Sequence, residues 1–160
     1  MPITFKINGK NNANIDDLFK GVSEASEKLN RRIIQAVQLA CLKVVERARN
    51  LPSPSEELRG KPHQPNYIDY TANLRQSIGF AIYDKGVKVA YNFKQQGEGA
   101  SQGLAVCDET AARFPDKIVA IVVAGMNYAA AVESKGYFVL TEPASHLGEE
   151  LMAYLRQIKL

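Results

Sequence analysis

The sequence predicts an α+β domain in which a long N-terminal helix and a C-terminal helix pack on a small antiparallel β-sheet of three to four strands. Three observations predict it: an apolar three-four period over residues 14–50, branched and aromatic runs on either side of Asp84-Lys85-Gly86, and a second helical period at the C-terminal end. With 160 residues, 46% of them apolar and 23% charged, the chain has the size and composition of one compact domain, residues 1–160.

The seam of the long helix runs through Ile15, Leu18, Val22, Ala25 and Leu29 and continues through Ile33, Val37, Ala40, Val44 and Ala48. Asn14 suits the N-cap, Asp16 and Asp17 meet the positive helix end, and Arg47 and Arg49 fall in the last turn, where cations are favoured. Leu51-Pro52-Ser53-Pro54 removes amide donors and stops the helix by Asn50. Gly21 is its weak point, and a break there with Ser23 as a second cap is one expectation. Taken as continuous, about 36 residues make a rod of roughly 54 Å. A compact domain of this length has a diameter of only about 40 Å. The rod therefore either breaks near Gly21 or packs one end on another subunit, which is where the expectation of a homo-oligomer begins.

Residues 52–70, with Pro52, Pro54, Gly60, Pro62 and Pro65, read as a long loop. Residues 71–124 supply a β-hairpin, an insertion and a third strand. Residues 71–77 read as a short capped helical turn entering a strand over 78–83, Asp84-Lys85-Gly86 as the hairpin turn, and 87–93 as the return strand. Gly97, Gly99 and Gly103 mark 94–103 as a mobile surface loop, followed by a short helix over 104–114. The third strand, 117–124, is apolar on both faces, which predicts a central place in the sheet. Residues 127–158 supply a short helix, capped by Asn127 and stopped at Gly136, and a terminal helix from Pro143 with Ala144, Leu147, Leu151, Tyr154 and Ile158 as its stripe.

The residues that carry chemistry are few. His63 and His146 are lone histidines without a positioned partner in the sequence, and Asp69 lies near His63 only along the chain. Cys41 and Cys107 read as small buried hydrophobes, with a reducing compartment the simpler assumption. The run Gln96 to Gly103 lacks the closing Lys-Ser/Thr of a phosphate loop and places Glu98 where phosphate would sit. No catalytic residue, cofactor or metal is expected, and the chain is not expected to be an enzyme. Met1 to Lys10 has no apolar core, and no stretch approaches 18 apolar residues, so neither secretion signal nor membrane span is expected.

Net charge is only +3, too small for an obligate nucleic-acid binder. The long helix nevertheless gathers a basic face, Lys28, Arg31, Arg32, Lys43 and Arg47, with Arg49 beyond it and only Glu46 opposing. A solvated face is the plain reading; contact with an acidic subunit surface or with DNA, without sequence specificity, is the alternative.

Thr71-Ala72-Asn73-Leu74-Arg75-Gln76-Ser77-Ile78 resembles the "TGNLRxSI" segment of the tail-completion, or head-tail joining, proteins of long-tailed bacteriophages, a family of neck and minor capsid components. Asn127-Tyr128-Ala129-Ala130-Ala131-Val132-Glu133-Ser134-Lys135-Gly136 resembles their "YAxxVExG" segment. The order of elements is similar too, so the resemblance spans roughly residues 15–158. Ala72 stands where the family has glycine, and its "RPFLRPA" entry to the last helix is here Tyr137 to Ala144. The resemblance implies a structural protein of phage or prophage origin, without catalytic activity, that forms a ring of identical subunits between head connector and tail. It implies placement in the virion neck or tail, and in the host bacterium's cytoplasm before assembly.

The motif residues are Asn73, Leu74, Arg75, Ser77, Ile78, Tyr128, Val132, Glu133 and Gly136. Leu74 and Ile78, four apart, can anchor the first motif in the core while Arg75 and Ser77 point elsewhere. Tyr128 carries a hydroxyl that needs a partner. Glu133 sits where an acid opposes the helix dipole, which predicts a polar contact that orders a loop or an intersubunit joint. Against the joining protein stand a small DNA-binding accessory protein using the basic face and, last, a hydrolase, for which no base, nucleophile and orienter occur together.

Overall fold

The computed structural model describes residues 15–50, 67–94 and 97–158. The Asn14 cap, the proline stop after Asn50, most of the 52–70 loop and His63 lie outside the described residues. One continuous helix, α1 (Ile15–Arg49), runs through Gly21 without a break. At 35 residues it is about 52 Å long. A one-turn helix, α2 (Asn73–Ser77), leads into β1 (Ile78–Asp84), and β2 (Val87–Phe93) returns beside it. Then follow α3 (Glu98–Ala111), β3 (Ile118–Ala124), α4 (Ala129–Ser134), α5 (Thr141–Ser145) and α6 (Leu147–Leu155).

The architecture is the expected α+β domain, with three antiparallel strands among the described residues in the order β2-β1-β3. Lys85 and Gly86 both hold positive φ, 48° and 80°, which makes the hairpin turn one whose twist matches the strands it joins. An irregularity between Ile82 and Tyr83 shifts the β1-β2 register, so that Ile82 pairs with Ala90 and Tyr83 with Lys88.

Alternation along β1 separates two cores. Ile78, Phe80 and Ile82 join Cys41, Val45 and Ala48 of α1, together with Leu74, Met126, Ala129 and Val139. Ala81 and Tyr83 join Cys107 and Ala111 of α3 on the opposite face. Because α1 and α3 cover both faces, β1 is the fully covered strand and reads as continuously apolar.

That position corrects one expectation. The apolar run of residues 117–124 predicts the central strand, but β3 pairs with β1 alone and is half-buried; a helix-covered edge has the same composition as a centre. A second correction concerns 94–103. Residues from Glu98 onward form the first turns of α3 rather than a loop, and the helix ends at Ala111 rather than at 114. Its glycines serve close packing: a Cβ on Gly103 would come within 2.6 Å of the Ser77 carbonyl oxygen, and one on Gly99 would overlap the carbonyl of Asn73.

The termini of the shorter helices differ as well. The α2 N-cap is Ala72, at φ 60°, with no side-chain cap, and α4 starts after Tyr128 instead of being capped by Asn127. Gly136, at φ 87°, does end α4 as expected. The terminal helix is two helices that bend at His146. Glu133 fixes the direction of the first turn, and α6 then turns to lie on α1. Its stripe is half-buried rather than buried.

Candidate assembly interface

The two motifs, far apart in sequence, share one core, in which Leu74 and Ile78 of the first lie with Ala129 of the second. Ser77 Oγ donates to the Leu74 carbonyl at 2.8 Å and accepts the Met126 amide at 3.2 Å, while the Ser77 carbonyl accepts the Gly125 amide at 3.1 Å. This seals α2 against the segment that opens α4. Leu74 and Ile78 are buried in the same core, against which Val132 packs. Asp69 accepts the Arg75 amide at 2.8 Å, and Asn73 Nδ2 donates to Glu98 at 3.4 Å.

The Arg75 guanidinium lies 5.4 Å from the centre of the Tyr67 ring and donates from Nη1 to the Arg49 carbonyl at 3.1 Å. Among the described residues, Tyr67 Oη and Arg75 Nη2 are buried and have no hydrogen-bond partner. Burial pushes the Tyr67 hydroxyl up to about 12, against the lowering effect of the neighbouring Arg75 charge.

Glu133 orders a loop, the first of the two roles its sequence position predicts. Its Oε1 accepts the amides of Leu140 at 2.7 Å, Thr141 at 2.8 Å and Val139 at 3.3 Å, and Oε2 accepts the Thr141 hydroxyl at 2.7 Å. The carboxylate thus satisfies amides at the start of α5 that have no intrahelical acceptor. Burial alone would raise its pKa, but these hydrogen bonds together outweigh it and hold the carboxyl below its ordinary 4.5. Tyr128, 37% exposed, stays at the surface.

The basic face divides. Lys43 donates to Glu150 of α6 at 3.0 Å and Arg47 lies 3.9 Å from the same carboxylate, so these two tie α6 to α1. Arg31 lies 3.9 Å from Glu27 one turn earlier, on the exposed part of α1 with Lys28. Arg32 lines a groove of about 360 Å³ between α1 and the C-terminal segment, with Ala36, Leu39, Tyr154 and Ile158.

Sequence reasoning missed two polar clusters. Arg49, read there as a helix-end cation, is buried and pins the sheet: Nε and Nη2 donate to the Ile78 carbonyl at 2.9 and 2.7 Å, and Nη1 and Nη2 to Asn92 Oδ1 and carbonyl at 2.8 and 3.1 Å. The signal was its place four residues beyond Val45, in line with the buried side. The other cluster closes α3 on the sheet, where Asp108 accepts the Tyr83 hydroxyl at 2.5 Å and lies 2.7 Å from Lys88 Nζ. These contacts, Lys88's first, hold the Asp108 carboxyl low, while burial and then Asp108 hold the Tyr83 hydroxyl high.

Cys41 and Cys107 are free and buried, and burial pushes their thiols up to about 11 and about 12, away from nucleophilic thiolate. His146 lies 3.2 Å from Glu142 on the surface of the bend. Among the described residues no group of histidine, cysteine and carboxylate side chains could hold a metal, and no helix is long and apolar enough to cross a membrane.

Among the described residues, nothing covers residues 17–28 of α1. Residues 17–28 are all exposed, with Leu18 at 60%, Phe19 at 70% and Val22 at 68%. An apolar face that no described segment covers is one that suits contact with another molecule. No family model, no curated protein and no solved structure matches this chain.

Proposed function

We propose that this chain is a structural virion protein of phage or prophage origin that joins the head connector to the tail as a ring of identical subunits. The observation that carries the reading is the apolar arm of α1, which no described segment covers and which suits a chain that works by assembly. The core that the two motif segments share, Leu74 and Ile78 of the first with Ala129 of the second, supports it further, since residues that pack on one another across the fold have a reason to occur together. In this role the chain acts without cofactor, first in the host cytoplasm and then in the virion neck or tail. Arg49, Glu133 and the Ser77 contacts keep the body rigid, and the exposed arm and Tyr128 are the surfaces left to meet connector, tail or neighbouring copies.

The competing reading, a DNA-binding accessory protein, loses support where Lys43 and Arg47 pair with Glu150, because two of its five cations are already engaged. The test is light scattering on the purified chain, alone and mixed with phage head-connector and tail proteins from the same genome. A ring of more than two copies, alone or on addition of a partner, is expected. A chain that stays monomeric and ignores those proteins at high concentration overturns the reading. Affinity for duplex DNA that falls steeply with salt and vanishes in an Arg31→Gln, Arg32→Gln variant would install the alternative.

A further inference from the structure

From Leu18 through Val22, Ala25 and Leu29 to Ala36 and Leu39, the steps along α1 are of four, three, four, seven and three residues. These positions form one line on one side of the helix. The line has two parts. Its first part is the exposed arm; its second part, at Ala36 and Leu39, is one wall of the groove whose other wall is Tyr154 and Ile158. An apolar ridge and a groove of mixed lining therefore lie end to end on the same face of the same helix. The groove is apolar at Leu39, Tyr154 and Ile158, polar at Arg32, Gln35 and Gln157, and floored by the buried Ala36.

The charges are divided the same way. Residues 15–27 hold Asp16, Asp17, Glu24 and Glu27 against Lys20. Residues 28–43 hold Lys28, Arg31, Arg32 and Lys43 and no carboxylate. Lys43 is already tied to Glu150 and Arg31 lies 3.9 Å from Glu27 within the chain, so these two add less to the basic segment's attraction than Lys28 does. Two such helices laid parallel and in register would set acid on acid and base on base. Laid antiparallel, each acidic arm lies along the other's basic segment.

We infer that the free chain pairs with a second copy of itself through α1, antiparallel, each arm seated in the other's groove. Packing the line of one helix between the positions of the other puts Val22 beside Leu39 and Ala25 beside Ala36 of the other copy, with the two-fold axis passing between residues 30 and 31. Leu29 then meets the aliphatic stem of Arg32. One contact covers both arms and both grooves, so two copies close the assembly. The inference concerns the free chain and stands or falls apart from the virion reading.

Cysteine cross-linking reads the geometry. Within one chain residues 22 and 39 are about 25 Å apart along the helix, beyond disulfide reach, so a link between them is a link between copies. Residue 22 of one copy and residue 22 of the other are likewise about 25 Å apart in the antiparallel pair. A V22C/L39C variant under mild oxidation is therefore expected to run as a covalent dimer, while V22C alone does not. The native thiols are buried, which makes the unmodified chain the unlinked control. Light scattering is expected to give twice the chain mass, and Val22→Asp to weaken pairing at least about ten-fold with unchanged far-UV dichroism, since Val22 touches no core.

V22C linking on its own would show the arms parallel and overturn the proposal. So would a monomeric mass at every concentration, or an oligomer whose mass Val22→Asp leaves unmoved. A ring or connector complex obtained with an unlinked V22C/L39C variant ends the pairing and leaves the virion reading intact. A pair that links as expected in a chain indifferent to connector and tail does the reverse.

Discussion

Residues 17–28 and 36–49 of α1 follow the same three-four apolar spacing, yet the first stretch is exposed throughout while Ala40, Val44, Val45 and Ala48 in the second are fully buried. The difference lies in what comes back along the chain to meet them. The second stretch receives β1, the α2 turn, Val139 and the α6 helix; the first receives nothing among the described residues. Periodicity reports which side of a helix is apolar, and tertiary partners decide whether that side is dry. If that is the whole difference, substitutions in the second stretch change the stability of the folded chain, and those in the first change only the arm.

No effect is expected to exceed that at Arg49. Arg49→Met keeps the aliphatic stem but leaves the Ile78 carbonyl and both acceptors of Asn92 without their donor. The buried Ile78 carbonyl so stranded costs about 1 kcal/mol or more and the part-buried Asn92 acceptors less, so a loss of about 2 kcal/mol in urea unfolding is expected. A loss below about 1 kcal/mol would mean that water replaces the guanidinium, and that the helix end is less firmly tied than its geometry indicates.

Next comes a matched pair. Val45→Ala opens space in the α1-sheet core and should cost about 2 kcal/mol, whereas Val22→Ala, on the bare arm, should stay within about 0.5 kcal/mol at concentrations where the chain is monomeric. Equal losses would dissolve the contrast between the two halves.

Glu133 tests the body without touching either half of α1. Glu133→Gln keeps the shape but weakens four charge-assisted hydrogen bonds, for an expected loss of about 1 kcal/mol near neutral pH. The sign with pH follows from its lowered pKa: the carboxylate's contribution is complete above the unfolded value of 4.5 and is lost as pH falls through the lower folded value. Unfolding midpoints of the native chain and the variant should therefore converge as pH drops below 4.5 and separate above it.

How much of this was legible beforehand varies with the kind of signal. The long helix, the hairpin with Gly86 and the stop at Gly136 were readable, because each rests on a local rule of backbone geometry or periodicity. The start of α3 was not: Gly99 and Gly103 read as loop chemistry, and only the approach of Asn73 and Ser77 from elsewhere in the chain explains them. Strand order failed for the same reason, since an edge strand covered by helices is as apolar as a central one. At the candidate site, the buried anchors Leu74 and Ile78 followed from their spacing, and Glu133 was marked by its conflict with the helix dipole. The partners of Arg49 could not be read, because they sit 29 and 43 residues away on strands whose pairing the helix sequence does not encode.

The smallest effect concerns Gly21, midway along the arm, where an added Cβ would meet nothing within 4 Å. Alanine there favours helix over coil by about 1 kcal/mol through lower backbone entropy in the unfolded chain. If the arm frays independently of the body, as the absence of any covering partner among the described residues implies, that gain appears locally. Gly21→Ala should slow amide exchange over residues 17–28 by about five-fold, while the exchange of β1 amides and the global unfolding midpoint stay where they are. Should the midpoint rise by the full 1 kcal/mol or so instead, the arm folds and unfolds with the body, and the two halves of α1 are one cooperative unit despite their opposite exposure.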